Sequence, residues 1–141
     1  MEITIRKIDK YDPVLIKYLF SKIEYPNIQP KPEFFISGTG TMLVAYHDSD
    51  ACGFLYAYTL HSPARLKPKM FLYSIDVFGN DRRHKVASSL IKRLKEIARE
   101  ENCSEIFVLT DKYNFAAMAL YETTGGVTNE AEDIMYVYNL E

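Results

Sequence analysis

The spacing of apolar residues changes several times along the chain, and each change marks an element. Ile3, Ile5 and Ile8 alternate loosely with charged residues and predict a first strand. Asp12-Pro13 then supplies a helix cap followed by proline at the first helical position, and Val14, Leu15, Tyr18, Leu19 and Ile23 recur at helical spacing until Pro26. Three prolines and two glycines between Pro26 and Gly40 predict a loop with one short helical turn at Glu33–Ser37. Met42–His47 and Cys52–Leu60 are strand-like, and Asp48-Ser49-Asp50 between them makes a hairpin. After a surface connection with Pro63 and Pro68, Met70–Phe78 is the next strand. A long helix follows from about Arg82 to Glu101, with Val86, Leu90, Leu94, Ile97 and Ala98 as its apolar stripe. Glu105–Leu109 is a short strand, and Asn114–Thr124 is a helix stopped by Gly125-Gly126. Ile134, Tyr136, Tyr138 and Leu140 alternate to predict a final strand. The order of elements predicts an α/β (α+β) fold over residues 1–141, with a mixed sheet flanked by helices.

Composition narrows the function classes. Of 141 residues, 48% are apolar, and a chain of this length buries roughly 68–70% of its unfolded surface, so it folds without disulfides or metal. Seventeen Lys plus Arg against nineteen Asp plus Glu leave a net charge of −2, which argues against a coat for nucleic acid or anionic membrane. The longest apolar runs, such as Met42 to Tyr46, are far below the ~20 residues that span a bilayer. The N-terminal residues lack the apolar core of a signal peptide, so a cytoplasmic location is expected. Cys52 and Cys103 form no Cys-x-x-Cys, and His47, His61 and His84 are scattered, so no metal site is expected and the thiols read as structural.

Two stretches carry chemistry. The first, Gly79-Asn80-Asp81-Arg82-Arg83-His84-Lys85-Val86-Ala87, joins a strand directly to the long helix. The first turn of a helix has unpaired N–H groups and partial positive charge, so cations there cost a few tenths to ~1 kcal/mol each. A bound polyphosphate reverses that sign, and Ala87, Ser88 and Ser89 leave room for it to approach the backbone. The alternative is a solvated basic turn. The second stretch is Asp111-Lys112-Tyr113-Asn114, followed by Ala117, Leu120, Tyr121 and Gly125. Asn114 and Tyr121 lie two helical turns apart on one face. Asn114 either caps the helix or contacts a ligand. Tyr121 either packs against the sheet or gives a proton to a leaving group.

In this order and at this separation, the two stretches resemble the GNAT superfamily of N-acetyltransferases, which use acetyl-CoA. The superfamily's phosphate motif, Arg/Gln-x-x-Gly-x-Gly/Ala, is matched by Arg82-Arg83-His84-Lys85-Val86-Ala87, except that Lys85 stands in place of the motif glycine. The downstream motif, Asn-x-x-Ala-x-x-x-Tyr-x-x-x-Gly, is matched by Asn114, Ala117, Tyr121 and Gly125. The pattern of elements agrees over nearly the whole chain, and motif residues over Leu72 to Gly126. Tyr73, Asp111 and Ala119-Leu120-Tyr121 look most like the aminoglycoside 3-N-acetyltransferase branch.

The resemblance implies a mostly antiparallel sheet and a role for each matched position. The pantetheine arm pairs with the strand at Ile75, Asp76 and Val77. The amides from Arg83 to Ser88, with the side chains of Arg82 and Arg83, hold the pyrophosphate, so that His84, Lys85, Val86 and Ala87 lie in the coenzyme site. Lys85 either meets a phosphate in place of the glycine or weakens coenzyme binding. Asn114, with Ala117 on the same helix, contacts the pantetheine, and Tyr121 protonates the departing thiolate. Asp76 and Asp111 are the candidate bases, each either directly or through water. Asp76 lies in an otherwise apolar strand, where an ionised carboxylate is costly unless paired or wet. Asp111 follows a strand end, where it serves as a working residue or caps the next helix. Glu130, Glu132 and Asp133 favour a cationic small-molecule or peptide amine if they lie near the acceptor. The last strand, rich in Tyr136 and Tyr138, suits pairing across a homodimer. The alternative function is a non-catalytic module that binds acyl-CoA or a partner protein, prompted by Lys85.

Overall fold

The structure is a computed structural model that describes residues 2–23, 27–79, 84–128 and 133–141, with the backbone alone at His84. Its elements are β1 (Ile3–Lys7), α1 (Pro13–Ser21), α2 (Glu33–Ile36), β2 (Gly40–His47), β3 (Asp50–Leu60), β4 (Lys69–Val77), α3 (His84–Glu100), β5 (Ile106–Val108) and α4 (Phe115–Thr123). They form one sheet in the order β1-β2-β3-β4-β5, antiparallel up to β4, with β5 parallel to β4. Among the described residues no helix is long and apolar enough to cross a membrane.

Alternation along the strands sends side chains to two separate cores. Leu43, Leu55, Met70 and Leu72 meet the α3 stripe, in which Val86, Leu90, Leu94, Ile97 and Ala98 are all buried. On the opposite face Met42, Val44 and Phe54 pack against Ile16 and Leu19 of α1. The start of α1 is set as the sequence predicts: the Asp12 side chain accepts from the Leu15 N–H at 3.1 Å, and Pro13 takes the first helical position. The hairpin between β2 and β3 turns at Asp48, whose φ of 57° is a left-handed conformation that Asp tolerates.

Two departures from regularity in β4 shape the site. The β3–β4 register passes from Tyr56↔Ser74 to Ala57↔Leu72, so Tyr73 is an extra residue and the strand bulges there. Beyond it, Ile75 and Val77 return to the α3-side core, while Ser74 and Asp76 stand opposite Tyr56 and Phe54 on the other face. The bulge is visible in the spacing of core residues: Met70 and Leu72, then Ile75 and Val77, with one three-residue step in a series of twos. The second departure is at β5, which pairs with β4 only at Met70, Phe71 and Leu72.

The predicted final strand does not form. Residues 133–141 carry no strand assignment, and Ile134, Met135, Tyr136, Val137, Tyr138 and Leu140 are 73–93% exposed. Alternation decides which side chains share a face, but a strand exists only when an edge accepts its backbone. The long helix begins at His84 among the described residues, and Arg82 and Arg83 lie outside them.

Candidate functional site

The site is a cleft where two neighbouring strands part. β4 runs on to Val77 past the last pair with β5, Leu72↔Val108, while its other edge stays bonded to β3 as far as Gly53↔Val77. Among the described strands none lies along the β5-facing edge of Ile75, Asp76 and Val77. Backbone N–H and C=O groups are obligatory hydrogen-bonding groups, so this edge suits an extended ligand that bonds as a strand does.

Asp76 is half-buried, and the Ser74 hydroxyl donates to its Oδ2 at 3.0 Å. The Tyr121 phenol is brought near enough to feel that carboxylate. Burial pushes its pKa up, and the Asp76 charge pushes it in the same direction. Tyr121, the candidate acid on α4, and Asp76, one of the two base candidates on β4, are thus electrostatically coupled near the open strand edge.

The sequence around Tyr121 holds α4 at both ends. Asn114 Oδ1 accepts from the Ala117 N–H at 3.1 Å, the N-cap arrangement that leaves its Nδ2 donors outside the cap. At the other end the Gly126 N–H donates to Tyr121 O at 2.7 Å and the Gly125 N–H to Glu122 O at 3.2 Å, with Gly125 at φ +99°. This is a Schellman motif, which needs the left-handed residue to be glycine. A Cβ on Gly126 would lie 2.8 Å from Tyr121 O, so the second glycine is required by close approach. Lys95 Nζ donates to Thr124 O and ties this helix end to α3.

Asp111 has a different setting. It is exposed, its Oδ1 accepts from the Tyr113 N–H at 2.7 Å, and its carbonyl accepts from the Asn114 N–H at 2.9 Å. The carboxylate shapes the turn that leads into α4. At the start of α3 the Lys85 side chain is exposed, whereas Val86 and Ala87 are buried in the core. What Val86 and Ala87 offer an anion is therefore their backbone. Ser88 is half-buried, and the Ser89 hydroxyl donates to Lys85 O at 2.7 Å. Arg82, Arg83, Glu130 and Glu132 lie outside the described residues, as does the His84 side chain. Burial and the charge of Glu101 push the Cys103 thiol up, the opposite of what a nucleophile needs.

The model of the acetyltransferase (GNAT) family matches residues 9–125. The chain belongs to that family. Its members use acetyl-CoA, and the open edge of β4 suits the extended arm of that molecule. An aminoglycoside acetyltransferase from an uncultured soil metagenomic sample, solved with sisomicin, superposes with a TM-score of 0.86 at 21% identity, over 99% of this chain and 97% of that one. The aminoglycoside N-acetyltransferase AAC(6')-Iy, solved with a bisubstrate analogue of CoA and acetylneamine, gives 0.82 at 22% identity over 99% of each chain. A ribosomal-protein-alanine N-acetyltransferase from Brucella melitensis biovar Abortus 2308 gives 0.79 at 19% identity over 99% of each. These identities establish a shared fold. Human N-acetyltransferase 8 is 27% identical over 82 residues, which is 58% of this chain and 36% of that protein, so the match spans about a third of that relative's length.

Ser74 is the neighbour of Asp76 that the sequence motifs do not mark. Its signal is the three-residue step in the core pattern of β4, which marks the bulge at Tyr73 that places it.

Proposed function

We propose that the protein moves an acetyl group from acetyl-CoA to a primary amine by direct attack. The observation that carries this reading is the open edge of β4 beyond Leu72, with the Asp76 charge acting on the half-buried Tyr121 phenol. The backbone at Ile75 and Val77 holds the pantetheine arm as an added strand, and the Val77 N–H polarises the thioester carbonyl. Asn114 Nδ2 contacts the same arm where α4 begins, beside Ala117. The amides from His84 to Ser88 face the pyrophosphate, with Arg82, Arg83 and Lys85 as its cationic partners.

Alkyl ammonium groups are protonated near neutral pH, so attack needs a base. Asp76, directly or through a water, takes the ammonium proton. The amine nitrogen forms its bond to the thioester carbon, the carbon–sulfur bond breaks, and Tyr121 gives its proton to the leaving sulfur. The remaining extra proton on the new amide nitrogen passes through water to the Tyr121 phenolate and restores the phenol. The raised pKa of Tyr121 keeps the phenol protonated until that moment. The same dry surroundings make a bare thiolate costly, so the transfer is balanced. No covalent enzyme intermediate is required. Asp111, through a longer water path, is the other base candidate.

The binding-only reading rests on Lys85, whose side chain is exposed in the first turn of α3. The coupling of Tyr121 to Asp76 favours transfer over it, since a binding module has no use for a proton donor. The aminoglycoside enzymes of like fold, one of them a 6' enzyme, support an aminoglycoside as a second reading of the acceptor, whereas its 3-N position is supported by Tyr73, Asp111 and the 119–121 run alone. The exposed, alternating segment after Asp133 supports a homodimer in which it pairs with the β5 edge of a second copy.

Thiol release from acetyl-CoA on addition of primary amines tests the reading. Tyr121→Phe keeps the ring and deletes the donor. It should lower kcat by roughly 10²–10⁴-fold while the Kd for coenzyme A stays within about twofold. Equal kcat in variant and parent would take Tyr121 out of the chemistry.

A further inference from the structure

On the sheet face that Asp76 shares lies a cavity of about 340 Å³, enclosed by α1, residues 27–31, α2 and strands β2 and β3. Its wall is aromatic: Phe20, Phe34, Phe35, Tyr56 and Tyr58 all line it. Phe34 meets Tyr56 edge-on at 5.8 Å between ring centres and Tyr58 at 5.5 Å, and Tyr56 meets Tyr73 of the bulge at 5.4 Å. Among the described residues that line the cavity, Lys31 carries the one charge and there is no carboxylate.

The cavity lies on the same sheet face as Asp76, with the Tyr56 ring of its wall on the side toward that carboxylate. Tyr56 stands opposite Ser74 and Phe54 opposite Asp76, so the Tyr56 ring and the carboxylate belong to adjacent same-face positions, about 7 Å apart along the strand. An amine placed at Asp76 therefore has an aromatic slot one short alkyl chain away. A second cation in that slot would be stripped of water beside Lys31 with no acid among the described lining residues to neutralise it. A flat ring would instead bury its faces and edges against rings already arranged for such contacts.

We infer that the acceptor is an arylalkylamine, a primary amine joined by a short alkyl chain to an aromatic ring that enters the cavity between α2 and β3, rather than a polycation. The inference rests on the acetyl-transfer reading above and adds the substrate class to it. A carboxylate carried on the same molecule would meet Lys31.

The test compares 2-phenylethylamine, spermidine and kanamycin as acceptors with acetyl-CoA, in the parent protein and in Lys31→Glu. In the parent, kcat/KM for 2-phenylethylamine should exceed that for either polycation at least tenfold. In Lys31→Glu the spermidine-to-phenylethylamine ratio should rise at least tenfold, because the repelling charge becomes an attracting one. Faster turnover of spermidine or kanamycin by the parent, or an unchanged ratio in the variant, overturns the inference. If no amine releases thiol, the acetyl-transfer reading fails, and the slot is judged by saturation-transfer NMR on the coenzyme-A-loaded protein. Saturation reaching the ring protons of 2-phenylethylamine supports the aromatic slot, and none overturns it.

Discussion

Asp76 and Asp111 have the same chemistry and opposite surroundings. Asp111 is exposed and bonded to the backbone of its own turn, whereas Asp76 is half-buried, held by Ser74 and close enough to raise the Tyr121 pKa. Asp76→Asn should therefore lower kcat/KM by about 10²–10⁴-fold near neutral pH. The loss should shrink as the pH rises, because the amine then arrives already deprotonated. Asp111→Asn keeps an acceptor oxygen for the Tyr113 N–H and should stay within a few-fold of the parent. A pH–rate series on both variants decides between them, and the reverse order would give the proton to Asp111. Tyr121 adds a stability effect of definite sign. Its folded pKa lies above the ordinary value near 10, so the phenol contributes no pH dependence below that. Stability falls as the pH rises from there through the folded pKa.

At the scale of elements, α4 is a short helix whose two ends are both fastened, and its last turn fixes Tyr121. Its limits were readable from Asn114 and Gly125-Gly126, because caps are local chemistry. That a Cβ on Gly126 would lie 2.8 Å from Tyr121 O was not readable, since it depends on the path taken after the helix. Gly126→Ala should destabilise the protein by about 1–3 kcal/mol. A Tm lowered by several degrees would register this, together with a fall in kcat larger than the change in coenzyme affinity. An unchanged Tm would mean that this turn relaxes without cost. In β4 the element itself was evident from the sequence, but its bulge needed the knowledge that residues 70, 72, 75 and 77 share one core.

At the scale of the whole molecule, the sheet ends at β5, a three-residue strand, while a run of apolar side chains stands exposed at residues 134–140. A groove beside β5, lined by Ile106, Val108, Leu94 and Ala98, carries Lys95 and Arg99 at its margin. The segment is apolar on both alternating faces and flanked by Asp133 and Glu141, and the groove offers it Lys95 and Arg99 as well as Glu105. Pairing with the β5 edge of a second copy, reciprocated across a two-fold axis, buries both segments at once. Light scattering should report a dimer for the full chain and a monomer after deletion of residues 134–140. A monomeric full chain at tens of micromolar would sink this arrangement.

The sequence by itself determined the order and type of the described elements from β1 to α4, the two-faced sheet, the capped ends of α1 and α4, and the family. All of these follow from signals within a few residues: periodicity, caps and turn residues, and motif spacing. Only the tertiary structure decided that the Asp76 charge acts on the Tyr121 phenol while Asp111 bonds its own turn, that β4 bulges at Tyr73, that β4 and β5 part after Leu72, and that an aromatic cavity opens on the Asp76 face. Each of those depends on which residues from distant parts of the chain come to share a face. The unpaired last strand has the same cause: its alternation is written in residues 134–140, but its partner is an edge that those residues do not encode.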